Sequence, residues 1–414
     1  MRRHDAWSAQ RLQELHDHLL VEQLRHAAST VPWYRERVDV DAIRSPADIA
    51  RFPLLDKATI REAGDRLKSE AWRGGWVRLE TGGSSGEPLL FWSESERESS
   101  QLACKLRARA WWGLHPGHRE TDLWGSPIET TSGGALRSFV AGVMGFQLLP
   151  AFRLNETTMA AFRGRIEGGR ADFLYGYASA LARYARFLEE RGETLSDLGL
   201  RTAICTAETL LPQDRDVIAR VIAPVANEYG CRDGGLIAHE DPDGNLRLMH
   251  DAVHLEVISG DGEPLRDGEA GEAVLTNLWA RGFPMIRYRL GDRVIRAPEP
   301  PPPGLPHPRL LEVAGRLTDF LLATDGTRVH ALGVIYILRE LDGIRRFRVI
   351  QESRTDLRVL IVPGPGLALE GAASELAEKI RAVLGEGMEV RIERVDDLEP
   401  LPSGKHRYVI CSAH

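Results

Sequence analysis

The chain has 414 residues, 43% of them hydrophobic and 27% charged, an ordinary globular composition on a length that exceeds what one hydrophobic core usually holds, so two or more domains are expected. A net charge of −7 offers no basic surface to nucleic acid. No apolar run approaches the roughly 18 residues that span a bilayer, so neither nucleic acid nor membrane is an expected partner.

The amino-terminal residues lead into a polar amphipathic segment and not into an apolar signal core. The four cysteines, Cys104, Cys205, Cys231 and Cys411, are far apart and contain no C-x-x-C pair. That argues against a disulfide scaffold and a zinc ribbon and suits a reducing compartment, so a cytoplasmic location is expected.

From Trp7 to about Ala28, Leu12, Leu15, Leu19, Leu20 and Leu24 recur at helical spacing and predict one amphipathic helix. Breakers follow at Val31–Tyr34 and Phe52–Leu55. Short β-like runs then alternate with amphipathic helices: Val77–Glu80, Thr121–Trp124, Phe173–Leu174, Thr202–Thr206, Leu255–Ile258 and Ala273–Thr276. This alternation predicts an α/β architecture, and Asp251–Asp292, rich in strands and turns, reads as a small barrel or sheet module. Ala297–Pro308 is too dense in proline for helix or central strand and reads as a loop or linker. Beyond it, strands Arg346–Ile350, Leu357–Val362 and Glu389–Glu393 and helices Ala331–Leu341 and Gly371–Val383 predict a small α+β domain. The basic run Arg345–Arg348 reads as a solvated strand face.

Directly after the strand Val77–Glu80 comes Thr81–Pro88 (TGGSSGEP). Gly82, Gly83 and Gly86 let the backbone turn sharply and bring N–H groups to an anion, while Thr81, Ser84 and Ser85 add hydroxyl donors. Alone, such a loop is a weak signal. No Gly-Lys-Ser/Thr follows, so it is not the P-loop of a Walker-type NTPase.

Further motifs follow in order: Ala207-Glu208-Thr209, then Glu228-Tyr229-Gly230-Cys231-Arg232-Asp233, then Tyr288-Arg289-Leu290-Gly291-Asp292. After these come Gly315-Arg316-Leu317-Thr318-Asp319 and Leu401-Pro402-Ser403-Gly404-Lys405. As an ordered set, with Val31–Arg35 and Phe52–Lys57 before them, they resemble the AMP-forming acyl-CoA synthetases and adenylation domains. Within these the similarity is greatest to the group of phenylacetate–CoA ligase and capsular-biosynthesis-type ligases. The resemblance implies a large N-terminal adenylation domain (1–314) of α/β sheets with a small β-rich module. It also implies a small mobile α+β lid domain (315–414).

The resemblance also implies roles. Thr81–Gly86 would grip ATP phosphates, Ala207–Thr209 would border adenine, and the Glu228-Tyr229-Gly230 region would lie near adenine. Asp233 would help hold Mg²⁺, Asp292 would bind the ribose hydroxyls, Arg316 would add charge near ribose or phosphate, and Lys405 would be the catalytic lysine. The chemistry suits these residue types. A carboxylate accepts two bonds from vicinal hydroxyls, Mg²⁺ needs one carboxylate plus phosphate oxygens, and a lysine is a compact cation on a flexible arm. Trp124, Tyr175 and Tyr177 lie near strand-like segments where the family builds its acyl pocket and are candidates for a flat apolar acid.

The sequence departs from the pattern at three places. Glu87 stands where many members have lysine, Asp233 replaces a glutamate, and Thr318 stands where an acidic hinge residue is common. Some relatives hold a structural zinc with cysteines and a histidine; here Asp241 stands where a cysteine would be expected. His250 remains, and His239 and His307 could join it only in an unusual site, so zinc is not expected.

The expected reaction is adenylation of a carboxylic acid, aromatic or related, followed by transfer to coenzyme A. Alternatives are transfer to a carrier-protein thiol or an amine, adenylation of a phenolic hydroxyl as in deazaflavin-directed relatives, and a degenerate nucleotide-binding protein. Homodimerisation is an analogy with the family.

Overall fold

The computed structural model describes residues 2–80, 89–124, 146–151, 154, 156–302, 304–313, 320–341, 343–364, 367, 369–398 and 409–412. The phosphate loop Thr81–Gly86, Glu87, Arg316, Thr318 and Lys405 lie outside the described residues. In chain order, helices α1 (Ala9–Thr30), α2 (Pro32–Arg35) and α3 (Lys57–Ala63) precede the strands β1 (Val77–Glu80) and β2 (Leu90–Ser93) and helix α4 (Ser95–Trp111). Next come β3 (Glu120–Trp124), β4 (Phe146–Pro150), α5 (Glu156–Gly169), β5 (Phe173–Tyr177), α6 (Ala178–Glu190), β6 (Thr202–Thr206) and α7 (Pro212–Val221). A run of strands follows: β7 (Val225–Cys231), β8 (Gly235–Glu240), β9 (Leu246–Leu248), β10 (Val253–Ile258), β11 (Ala270–Asn277), β12 (Tyr288–Arg296) and β13 (Arg309–Val313). The carboxy-terminal part holds β14 (Phe320–Leu322), β15 (Arg328–His330), α8 (Leu332–Arg339), β16 (Ile344–Gln351), β17 (Asp356–Pro363), α9 (Leu369–Leu384), β18 (Glu389–Arg394) and β19 (Val409–Cys411). No described helix is long and apolar enough to cross a membrane.

The chain divides into two compact units, one of residues 1–81, 88–116 and 226–316, the other of residues 82–87, 117–225 and 317–414. In the first unit, β7 to β13 pair in the order β10-β11-β12-β13-β9-β8-β7, with every neighbouring pair antiparallel. Helix α1 buries Leu12, Leu19, Leu20 and Leu24 at the spacing the sequence predicts. It starts two residues later than expected, where the Ser8 hydroxyl accepts from Arg11 N–H at 3.2 Å, and it stops before Pro32, whose ring disfavours helix in the preceding residue. Each such fully buried leucine stabilises the fold by about 1.5–3 kcal/mol.

Helix α4 is different, because its buried face is mostly polar: Arg97, Ser100, Gln101, Cys104, Arg107 and Ala108. Arg107 is fully buried and makes a bidentate pair with Asp251, Nη1 to Oδ2 at 2.7 Å and Nη2 to Oδ1 at 2.8 Å. His4 Nδ1 lies 2.6 Å from the same carboxylate. Burial alone would push the Asp251 carboxyl up, but the bonds from His4 and Arg107 override it and hold the group well below the ordinary carboxylate range.

The proline-rich segment 297–308 is irregular, as expected. It is tied down through its carbonyls: Leu248 N–H donates to Pro308 O at 2.8 Å, and Arg247 Nη1 donates to Leu305 O at 2.7 Å. Arg247 is itself held by Asp241 at 2.6 Å.

In the second unit, β3 pairs in parallel with both β4 and β5, and β5 with β6, with α5, α6 and α7 between strands. This is the α/β alternation read from the sequence. The carboxy-terminal strands form the sheet β18-β17-β16-β19 over a core that includes Leu321, Ile335, Val359 and Ile380. The hairpin β14–β15 was not anticipated. The buried Gln351 amide secures it by donating to Leu322 O and accepting from Leu322 N–H, each at 2.7 Å. Arg348 corrects the reading of a solvated basic strand face: it is 9% exposed, and burial depresses its guanidinium pKa.

Burial lowers the pKa of His16, His26, His239, His250, His254 and His307 and raises that of Glu94, Glu208 and Glu256. Below the ordinary histidine value the unfolded chain takes up these imidazole protons first, so folding loses stability as pH falls. Each unmatched histidine costs up to about 1.4 kcal/mol per pH unit. The raised glutamates act oppositely, since the folded chain protonates them first, but they are outnumbered. The melting temperature is expected to fall from pH 7 to pH 5; a flat or rising profile in a thermal scan would contradict this balance.

Candidate functional site

Ligands of open α/β sheets bind at the carboxyl ends of the strands. In the second unit three of the nominated segments fall there. Trp124 ends β3, Tyr175 and Tyr177 flank Gly176 at the end of β5, and Ala207–Thr209 follows β6. Trp124 stacks on Tyr177 with centroids 4.2 Å apart and planes 12° from parallel, and on Tyr175 at 5.9 Å and 29°. The two tyrosines share a face of β5 because side chains alternate along a strand. Gly176 between them packs against β3: a Cβ there would lie 2.6 Å from Leu123 O.

The Glu208 carboxylate accepts from Ser179 N–H at 2.7 Å and from the Ser179 hydroxyl at 3.0 Å. It thereby caps helix α6, whose N-cap residue Tyr177 supplies no side-chain cap. Burial pushes this carboxyl up to about 7 despite the two bonds. With its side chain engaged at the helix, what this segment offers a ligand is the backbone of Ala207–Thr209. That backbone is strained, since Ala207 has φ +64°, a region costly to any residue with a Cβ. The cavity beside it is also lined by Ser179, Arg183 and Arg328.

In the first unit the two acidic motifs meet. Tyr229 OH donates to Asp292 Oδ2 at 3.0 Å, and Tyr288 OH donates to Asp233 Oδ2. Asp233 is 8% exposed, and its backbone is fixed from α4, where Arg97 Nη2 donates to Arg232 O at 2.8 Å and to Asp233 O at 3.0 Å. Arg232 Nη1 donates to Glu80 O at 3.2 Å, which places this turn against the end of the strand leading into the phosphate loop. Gly230 admits no side chain, because a Cβ would lie 2.7 Å from Gly235 O. Burial, and then the charges of Asp233 and Asp292, raise the Cys231 thiol well above its ordinary value and keep it protonated.

Glu228 does not join this cluster. It precedes Tyr229 on β7 and so points to the other face, where its carboxylate lies 4.0 Å from His239 Nε2. Each of the three histidines considered for zinc makes a ring-nitrogen hydrogen bond within the protein: His239 Nδ1 with Glu240 O at 2.9 Å, His250 Nε2 with Gln13 Oε1 at 2.9 Å, and His307 Nε2 with Asp5 Oδ1 at 3.0 Å. Sequence reasoning missed Arg97 and Gln101, the residues of α4 that brace the acidic turn. Gln101 Oε1 accepts from Leu236 N–H just beyond it. Their i, i+4 spacing was the available signal.

The ordered motifs on this α/β fold are those expected of an adenylating enzyme. The comparisons agree. Residues 321–412 match the family model described as the CapK C-terminal domain. Protein CapK of Staphylococcus aureus is 21% identical over 371 residues, covering 88% of this chain and 80% of that one. Phenylacetate-coenzyme A ligase of Escherichia coli strain K12 is 26% identical over 301 residues, covering 69% and 67%. The crystal structure of 2-hydroxyisobutyryl-CoA ligase with 2-HIB-AMP and CoA, in the thioesterification state, superposes with a TM-score of 0.70 at 20% identity. It covers 100% of this chain and 92% of that one. The chain is thus similar to CapK and to the phenylacetate–CoA ligases, and its fold is that of an acyl-CoA ligase.

Strain at Ala207 sets a test of this local geometry. Ala207→Gly is expected to raise unfolding free energy by up to about 1 kcal/mol, and Ala207→Val to lower it by more than about 1 kcal/mol, both read by denaturant titration. A glycine variant less stable than the parent would show that the left-handed backbone is not strained.

Proposed function

We propose that the protein activates a carboxylic acid with ATP and passes the acyl group to coenzyme A. The observation that carries this reading is the meeting of Asp233 and Asp292, remote in sequence, in one hydrogen-bonded cluster against the strand that leads into the phosphate loop. In the first step a carboxylate oxygen attacks the α-phosphorus, the bond to the β-phosphate oxygen breaks, and pyrophosphate leaves. In the second the thiol sulfur attacks the acyl carbonyl, the carbon–oxygen bond to AMP breaks, and the thiol proton is released.

Both reactants of the first step are anions, so positive charge must come to the reacting phosphate. By resemblance that is the work of Lys405 and the loop Thr81–Gly86, with Arg316 near ribose. On this reading residues 315–414 act as a mobile lid that carries Lys405. Asp292 would accept the ribose hydroxyls, and Ala207–Thr209 would border adenine. Mg²⁺ fits the donor set, since Asp233 provides a hard carboxylate oxygen and this ion otherwise favours phosphate oxygens and water; when bound it would offset phosphate charge. The stacked Trp124–Tyr177 pair supports a flat, aromatic acid. The described cysteines are free thiols in this fold, in keeping with a cytoplasmic location.

Pyrophosphate exchange with ATP and a panel of aryl and aliphatic acids tests the first step, and thioester formation on adding coenzyme A tests the second. Exchange is expected with an aryl acid. No exchange with any acid, and no ATP binding, would remove the adenylation reading, while exchange without thioester would point to a carrier-protein thiol or an amine as acceptor. Lys405→Ala is expected to slow exchange by about 100-fold or more with ATP binding largely kept. An unchanged rate would take Lys405 out of the mechanism.

A further inference from the structure

The two acidic motifs share a pattern: Asp233 is the fourth residue after Tyr229, and Asp292 the fourth after Tyr288. The hydroxyls cross between them, Tyr229 to Asp292 and Tyr288 to Asp233. Yet β7, which carries Tyr229, and β12, which carries Tyr288 and Asp292, are not neighbours. Strands β8, β9 and β13 intervene in the sheet order. In a flat sheet four strand steps would separate them by about 19 Å. A direct 3.0 Å bond therefore requires the sheet to curl until β7 and β12 approach each other, and the tyrosines are what meet there. Both rings are buried, Tyr229 at 9% and Tyr288 at 1% exposure; the Tyr288–Asp233 bond is buried and the Tyr229–Asp292 bond partly so.

We infer that Tyr229 and Tyr288 are positioning residues, each orienting the other motif's carboxylate, so that the ribose-binding and metal-binding groups are held as one unit. The inference rests on the adenylation reading above. The Tyr288 hydroxyl fixes one oxygen of Asp233 and so sets the direction in which the carboxylate meets a cation. The Tyr229 hydroxyl does the same for Asp292 and the ribose hydroxyls. Neither tyrosine touches the reacting atoms. Their effect reaches the nucleotide only through the aspartates, as the partners behind a metal ligand act through it.

The test is calorimetric binding of ATP and of 2′,3′-dideoxy-ATP, across a Mg²⁺ series, to the full chain and to Tyr229→Phe and Tyr288→Phe. Phenylalanine keeps the ring and removes only the hydroxyl. Tyr288→Phe is expected to raise the Mg²⁺ concentration for half-maximal ATP binding by roughly 10-fold. Tyr229→Phe is expected to reduce the preference for ATP over the dideoxy analogue by roughly 5-fold or more. That preference is a ratio within one protein, so partial misfolding cannot mimic its loss, and it decides the matter even if Tyr288→Phe folds poorly. An unchanged preference in Tyr229→Phe together with an unchanged Mg²⁺ midpoint in Tyr288→Phe would overturn the inference and leave the adenylation reading standing. A parent protein with no ribose preference and no Mg²⁺ dependence would bring down both.

Discussion

The first unit depends on the buried pair between Arg107 and Asp251. Removing one partner of such a pair leaves an uncompensated charge and costs about 3–5 kcal/mol. The pair also fixes the axial position of α4, whose other polar residues then fall where they are needed. Arg97 lies ten residues up the helix, about 15 Å along its axis, and holds the carbonyls of Arg232 and Asp233. His4 joins the same carboxylate, and Asp5, next in sequence, accepts from Trp111 Nε1 at 3.0 Å at the end of the helix. One ionic contact thus locates the amino-terminal turn, the long helix and the acidic turn of the site.

The local chemistry of each unit carries a matching bias. In the second unit, a carboxylate closes the amino end of α6 and a strained alanine turns the backbone outward. In the first unit, the Asp292 and Asp233 carboxylates each accept from a tyrosine hydroxyl, which brings no charge. The guanidinium of Arg97 is shared among the carbonyls of Arg232 and Asp233, the Ser93 hydroxyl and the Glu98 carboxylate. The acidic turn is thus braced through its backbone by α4, and the two carboxylates are oriented by tyrosine hydroxyls.

Much of the fold was legible because strands and helices here follow their periodicities. Val77–Glu80, Thr121–Trp124, Thr202–Thr206 and the carboxy-terminal strands fall within a residue or so of the expected positions. The aromatic trio was legible for the same reason, since strand ends in an α/β sheet are where side chains gather. Helix α4 was harder: its inward face carries arginine, glutamine and serine, which hydrophobic patterning counts as surface. Arg348 was misread on the same ground. The crossing of Tyr229 and Tyr288 could not be read at all, because it depends on how far a sheet curls, and that is set by the packing of the whole unit. Glu228 is adjacent to Tyr229 in the motif and was grouped with it, whereas strand alternation sets its side chain on the opposite face, beside His239.

The proline-rich stretch 297–308 has a consequence beyond joining two strands. Seven of its residues are prolines and contribute no N–H, so its tethers run into its carbonyls, from Arg247 and from the Leu248 amide. A segment so poor in donors cannot extend a ladder far. It sits immediately before β13, which is already paired on both sides, by β12 and β9. The loop therefore works as a stop: among the described residues the pairing continues only through Ala297 N–H and the Pro308 carbonyl, and β13 begins at Arg309.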